Sequence, residues 1–260
     1  MKGDNMRIGR LPTITLAVAM LITGIPIQAA QASHVSGTLL PDLGMDYIRN
    51  YSVETTRTGQ VKLRFTTIIV NIGDGPFQAR GHTPQASGDL LVNQQIANSN
   101  GTWTDEATNS RMFFAGDGHD HWHVRDLATY ELRNTAATIK RTGEKHGFCF
   151  FDNYAFKTSL PHAPQSAQYR GGGCGDLGDT SVTMGLSVGW GDRYGAKLPS
   201  QYIDITGLPS GEYILTVTAD EQGFLRERCE ANNTTTAILK ITGSSVRVVS
   251  RGTASVACGG

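Results

Sequence analysis

The residues with the plainest chemistry are His119, His121 and His123. They are three of the seven histidines and stand at alternate positions in Asp117-Gly118-His119-Asp120-His121-Trp122-His123-Val124-Arg125. Neutral imidazole nitrogen is a ligand for copper, zinc, nickel or iron, so this spacing reads as a metal site. In an extended strand alternate side chains share a face. The three histidines and Arg125 then point one way, and Trp122, Val124, Ala128, Tyr130 and Leu132 form an apolar face turned to a core. At about 3.3 Å per residue, His119 and His123 stand about 13 Å apart at the backbone, so a bend near Gly118 is needed to bring all three to one ion. A solvated polar face is the plain alternative. His34, His82, His146 and His162 are isolated and read as surface or hydrogen-bonding residues.

The elements that must position these side chains read as strands. The chain has 260 residues, 39% hydrophobic and 18% charged, which excludes wholesale disorder and a coiled coil, and its 31 glycines favour short strands joined by turns. Val61, Leu63 and Phe65 alternate with Lys62 and Arg64, and Thr66 to Val70 runs on to the turn Gly73-Asp74-Gly75-Pro76. Tyr202 to Ile205 and Tyr213 to Thr218 flank Gly207-Leu208-Pro209-Ser210-Gly211, which predicts a turn between paired strands. Ala237 to Ile241 and Val246 to Val249 read as closing strands. Gln85 to Ser110 is polar and loop-like, and Phe156 to Asp179 looks irregular. The fold expected is all-β: a single β-sandwich-like domain over residues 33–260, with long irregular loops and little helix, in which residues 33–115 supply N-terminal strands of the same domain.

Lys2, Arg7 and Arg10 precede an apolar stretch from Leu11 to Ile27, and Ala30-Gln31-Ala32 offers a small-x-small cleavage pattern. Residues 1–32 therefore read as a signal peptide, too short in its apolar run for stable membrane insertion, and the protein as secreted. Basic and acidic residues balance at 23 each, and removing the leader leaves 20 against 22, so phosphate neutralisation and nucleic-acid partners are not expected. In an oxidising compartment the four cysteines read as disulfides. Of three possible pairings, Cys149 with Cys174 and Cys229 with Cys258 close local loops and are favoured.

Four collinear segments resemble the lysyl oxidase family, copper-dependent amine oxidases. They are the HxHxH run leading to Tyr130-Glu131-Leu132; Gly143-Glu144-Lys145-His146-Gly147-Phe148-Cys149; Gly191-Asp192-Arg193-Tyr194-Gly195-Ala196 with Gln201-Tyr202-Ile203-Asp204-Ile205-Thr206; and Gly211-Glu212-Tyr213-Ile214-Leu215 with Asn232-Asn233. The resemblance implies that His119, His121 and His123 hold copper and that Lys145 and Tyr194 join as the cofactor lysine tyrosylquinone. It implies oxidative deamination of a primary amine or peptidyl lysine to an aldehyde, with dioxygen consumed and hydrogen peroxide and ammonia released. Asp192, two residues before Tyr194, is the candidate base. With four cysteines and no animal-type accessory modules, the chain is similar to a microbial-type secreted member.

By themselves, Lys145 reads as a solvated side chain and Tyr194 as a half-buried aromatic, 49 positions apart. Two other functions fit the histidines: a secreted copper- or zinc-binding β-sandwich without turnover, and a zinc hydrolase with Asp120 or Glu131 as base.

Overall fold

Alternation of apolar and polar side chains builds the sheets, and the strand that begins at Val61 illustrates how. In the computed structural model, which describes residues 37–116, 120–143, 147–252 and 254, this strand, β4, runs Val61–Asn71. Leu63 and Phe65 are buried while Lys62 and Arg64 are partly exposed, and from Phe65 to Asn71 every residue is buried. The uninterrupted run has two destinations. Phe65 and Ile69 face the main core, whereas Ile68 and Val70 join a second apolar cluster under Tyr154, Phe156 and Leu160. A strand covered on both faces needs no polar alternation.

The described residues belong to the unit Val35–Gly260, and the expected leader lies outside them. They contain eighteen strands, numbered in chain order, one 3-10 turn at Gly171–Cys174, and no helix long and apolar enough to cross a membrane. The fold is all-β, as expected, with three antiparallel sheets around one core and no closed barrel.

The first sheet has seven strands. β11 (Gly147–Phe148), β8 (His121–Arg125), β7 (Trp103–Ala115), β6 (Leu90–Asn98), β5 (Phe77–Pro84) and β13 (Val182–Leu186) lie in that order, with β1 (Thr38–Leu39) paired to β6. The second orders β10 (Lys140–Thr142), β9 (Ala128–Asn134), β16 (Gly211–Ala219), β17 (Thr234–Thr242) and β18 (Ser245–Arg251). The third orders β12 (Tyr154–Ala155), β14 (Trp190–Tyr194), β4 and β15 (Tyr202–Asp204), and β2 (Leu43–Met45) and β3 (Arg49–Thr55) also pair with β4.

Three expectations are corrected. Gln85 to Ser110 is not a loop: it holds β6 and most of β7. Leu90, Val92 and Ile96 mark its buried face, and the fourth residue of that row, Gln94, is itself buried because its amide clasps the backbone of Arg226. Strands β15 and β16 do not pair across Gly207 to Gly211; β15 pairs with β4, and β16 with β9 and β17. The histidine strand does not continue through Leu132, because Asp126 takes a left-handed φ of 54° that ends β8 and sends β9 into another sheet. The expected disulfide Cys149–Cys174 is present, and Cys229 is disulfide-bonded as well; Cys258 lies outside the described residues.

Candidate active site

Strands β7 and β8 form a hairpin in which Ala115 faces His121, Phe114 faces Trp122, Phe113 faces His123 and Met112 faces Val124. Directly opposed residues share a face, so His121, His123 and Phe113 lie on one side and Trp122, Phe114 and Val124 on the other. The two imidazoles converge: His121 Nε2 and His123 Nε2 are 2.9 Å apart. Two ligands each about 2.05 Å from one ion and at right angles to it are separated by about 2.9 Å, the spacing of a tetragonal nitrogen pair. The donor set therefore fits a metal that takes imidazole. His119 lies outside the described residues.

The histidine face is less open than alternation implies. His123 is only 5% exposed, with the Phe113 ring edge-on at a centroid distance of 5.7 Å. Strand β11 adds to the cover, Gly147 pairing with Arg125 and Phe148 with Val124. A Cβ at Gly147 would come within 2.5 Å of the Phe113 ring and 2.8 Å of His123 Cβ, so glycine is required for this approach.

Lys145 lies outside the described residues, but the chain around it is fixed at both ends. Before it, Gly143 bridges to Ile203 and donates its N–H to the Tyr130 carbonyl at 2.8 Å; a Cβ there would lie 2.7 Å from the Tyr130 ring. After it comes β11, then Cys149 with its disulfide to Cys174.

Tyr194 is at the end of β14, opposite Thr67 of β4. Its phenol is buried, with the ring edge-on to Phe148 at 4.7 Å. The hydroxyl donates to the Cys149 carbonyl at 3.0 Å and accepts from the Cys149 N–H at 2.7 Å. Burial, and next the carboxylate of Asp192, push the phenol well above its ordinary pKa of 10, so Tyr194 is a neutral phenol at physiological pH.

Asp192 is 1% exposed, on the same face of β14 as Tyr194. Asn153 fixes it, donating Nδ2 to Asp192 Oδ1 at 2.6 Å while its own Oδ1 accepts from the Arg193 N–H at 2.6 Å. Nearby, Tyr130 donates to Gln201 Oε1 at 3.1 Å, Gln201 donates to Thr67 Oγ1 at 3.2 Å, and Thr67 and Tyr130 hydroxyls are 3.0 Å apart, a closed ring of three buried groups.

Two expected associations are therefore formed: His121 with His123, and Asp192 with Tyr194. The segment Gly147 to Cys149 links them, pairing with the histidine strand and holding the phenol. The two groups do not share a face, since Phe148, which carries Tyr194, lies on the Val124 side of β8. Sequence reasoning missed Phe113, Asn153 and Thr67, which carry no spacing signal of their own, and read Tyr130 only as part of an apolar face and Gln201 only as part of a family-like segment, without the ring of hydrogen bonds they form with Thr67. Gly147 had such a signal, a glycine two places before a cysteine inside an apolar segment.

Residues 82–251 match the lysyl oxidase family. The chain is 34% identical to protein-lysine 6-oxidase of Homo sapiens over 128 residues, which is 48% of this chain and 27% of that protein. The Sus scrofa protein-lysine 6-oxidase is 33% identical over 128 residues, 48% of this chain and 45% of that one. Lysyl oxidase homolog 2 of Gallus gallus is 30% identical over 118 residues, 45% and 14% of the two chains. The aligned part spans less than half the length of each of these relatives. The family match, however, runs through well over half of this sequence and takes in the histidine strand, β11 and β14, and the chain belongs to the lysyl oxidase family.

Proposed function

We propose that the protein is a secreted copper-dependent amine oxidase. It converts primary amines, including peptidyl lysine, to aldehydes, consuming dioxygen and water and releasing hydrogen peroxide and ammonia. The observation that carries this reading is the pair of Nε2 atoms 2.9 Å apart on a strand whose neighbour leads into the cysteine that holds the Tyr194 phenol.

On this reading His119, His121 and His123 hold copper, and Lys145 and Tyr194 are the halves of lysine tyrosylquinone. Once formed, that cofactor supplies a carbonyl electrophile able to take up a primary amine and two of its electrons. The rest falls to the chain's own residues. Cys149 fixes the ring through its backbone, Phe148 packs the ring edge-on, and the surrounding burial excludes water. Asp192, oriented by Asn153, takes the proton from the amine's α-carbon. Residues 1–32 act as the export signal, a reading that the Cys149–Cys174 disulfide supports.

A second reading is a secreted copper- or zinc-binding protein without turnover. It is favoured by the placement of phenol and imidazoles on opposite faces of the β8 and β11 pair.

One experiment separates the two. Purified protein loaded with copper under air should develop a quinone absorption band and release peroxide with butylamine. Tyr194→Phe should abolish both and leave copper content unchanged. Amine oxidation retained in that variant rejects the cofactor assignment, and a copper-loaded wild type with neither band nor peroxide leaves the metal-binding reading.

A further inference from the structure

Two sheets meet at a phenol that no step of the amine chemistry uses. Tyr130 of β9, Thr67 of β4 and Gln201, just before β15, are all buried. Tyr130 has one hydroxyl hydrogen, which Gln201 Oε1 takes at 3.1 Å, so at the 3.0 Å contact with Thr67 it is the threonine that donates. Gln201 Nε2 in turn donates to Thr67 Oγ1 at 3.2 Å, and the circuit closes. Burial raises the Tyr130 pKa above its ordinary value of 10.0, which keeps that hydrogen in place at physiological pH. Loss of either hydroxyl strands a buried partner, so the three side chains act as a unit.

The circuit joins two supports of the site. Thr67 stands directly opposite Tyr194, so the two side chains share a face with Cβ atoms about 4.5–5.5 Å apart. Asp192, opposite Ile69, is the diagonal neighbour of Thr67 on that face. On its other side Tyr130 carries Gly143: its carbonyl accepts the Gly143 N–H at 2.8 Å, and its ring lies 2.7 Å from where a Cβ there would stand. Gly143 is two residues before Lys145. Beyond Lys145, Cys149 binds the Tyr194 hydroxyl through both its backbone groups. Tyr130 thus ties the start of the lysine's segment to the strand opposite Tyr194, while Tyr194 ties the end.

We propose that Tyr130 is a positioning residue for cofactor formation, its hydroxyl locking the segment that carries Lys145 to the strand that faces Tyr194. The proposal rests on the amine-oxidase reading and deepens it. Joining the two side chains turns one phenol, one amine and two dioxygen molecules into an amino-substituted quinone, one water and one hydrogen peroxide. One ring C–H gives way to C–N and a second to C=O, the phenol becomes the other C=O, and the six electrons removed pass to dioxygen. Such a union is fast only where nitrogen and ring carbon are held about 3–3.5 Å apart, and a loosened support forfeits that orientation. Tyr130 acts through Thr67 and Gly143.

The test loads metal-free full chain with copper under air, well below its melting temperature. Growth of the quinone band, copper content and the fraction of covalent Lys145–Tyr194 peptide in a tryptic digest are followed with time. Tyr130→Phe keeps the backbone bond to Gly143 and the edge-on packing on Phe65, 5.2 Å between ring centroids, and removes only the circuit. It should slow band and peptide at least about tenfold at unchanged copper content. Thr67→Val keeps the threonine's shape and should slow them equally, and the double variant should be no slower, because one unit has been broken twice. Ile241→Val, a core change in β17, lowers the melting temperature and should form the band at the wild-type rate. A wild-type rate in Tyr130→Phe, additive slowing in the double variant, or equal slowing in Ile241→Val overturns the positioning role and leaves the oxidase reading intact. A wild type that binds copper and never develops the band overturns the cofactor reading, and the positioning role with it.

Discussion

Asp192 and Tyr194 are both buried on one face of β14, and burial governs what each can do. A carboxylate enclosed beside a phenol can take a proton without competition from water, whereas its amide analogue keeps the shape and the bond from Asn153 but has no such basicity. Asp192→Asn should therefore lower kcat by about 100-fold or more while copper content and quinone absorbance persist. A fall in absorbance instead would place Asp192 in forming the cofactor. Before modification the phenol has its own signature. Burial raises its pKa well above 10, so between 10 and that raised value the folded chain keeps a proton that the unfolded chain has shed. Stability should consequently fall as pH rises past 10, and ultraviolet titration of metal-free protein should show the same tyrosinate growth near pH 10 for wild type and Tyr194→Phe.

At the scale of elements, the short strand β11 carries the site. It reaches β8 only because Gly147 leaves room for Phe113 and His123 Cβ. Gly147→Ala must displace one of them, at a cost of about 1–3 kcal/mol of overpacking. It should also loosen copper, because the displaced residue is a proposed ligand or the ring covering it. Thermal melting and metal content check this together, and an unchanged copper affinity would mean that neither His123 nor the ring over it positions the metal. The same elements show what the sequence disclosed. Alternation in Val61 to Phe65 and in His121-Trp122-His123 has a period of two and was legible as strand. The β6 segment was not, because Asn93-Gln94-Gln95 reads as loop until Gln94 is seen to hold Arg226. The break at Asp126 was invisible, since a left-handed aspartate carries no pattern signal. Facing of the phenol and the imidazoles depends on which strand β11 joins, and that is a tertiary choice made 24 residues beyond His123, where Gly147 pairs with Arg125, by packing between Phe148 and Tyr194 rather than by any local preference.

Across the whole molecule, the loop from Asp220 to Asn233 straps the sheets together, and it does so with acids. The Asp220 N–H donates to the Leu127 carbonyl at 3.0 Å, at the turn between β8 and β9, and the Arg228 N–H to the Pro41 carbonyl at 2.8 Å, beside β2. The Leu43 N–H donates to Glu227 Oε2, and Gln94 in β6 binds the Arg226 backbone. Asp220, Glu227 and Glu230 bring carboxylate oxygens within 4.8 Å of one another. Burial raises the pKa of Asp220 from 3.8 to about 6, and burial with the neighbouring acids raises those of Glu227 and Glu230 as well. In this window the folded chain binds protons that the unfolded chain has released, so stability falls as pH rises from about 4 to 6, and the raised glutamates extend the decline. Glu230 is the exposed member, and its contact with Asn233 Nδ2 at 3.4 Å can be kept by an amide oxygen. Glu230→Gln should thus stabilise the protein at pH 7.5 by about 0.5 kcal/mol, roughly 1–2 °C in Tm for a domain of this size, and the gain should vanish near pH 4, where the glutamate is protonated in both states. Melting curves from pH 4 to 8 measure it. A variant that melts lower than wild type at pH 7.5 would mean that the Glu230 charge has a favourable partner in the folded state and that the strap is not under acidic repulsion.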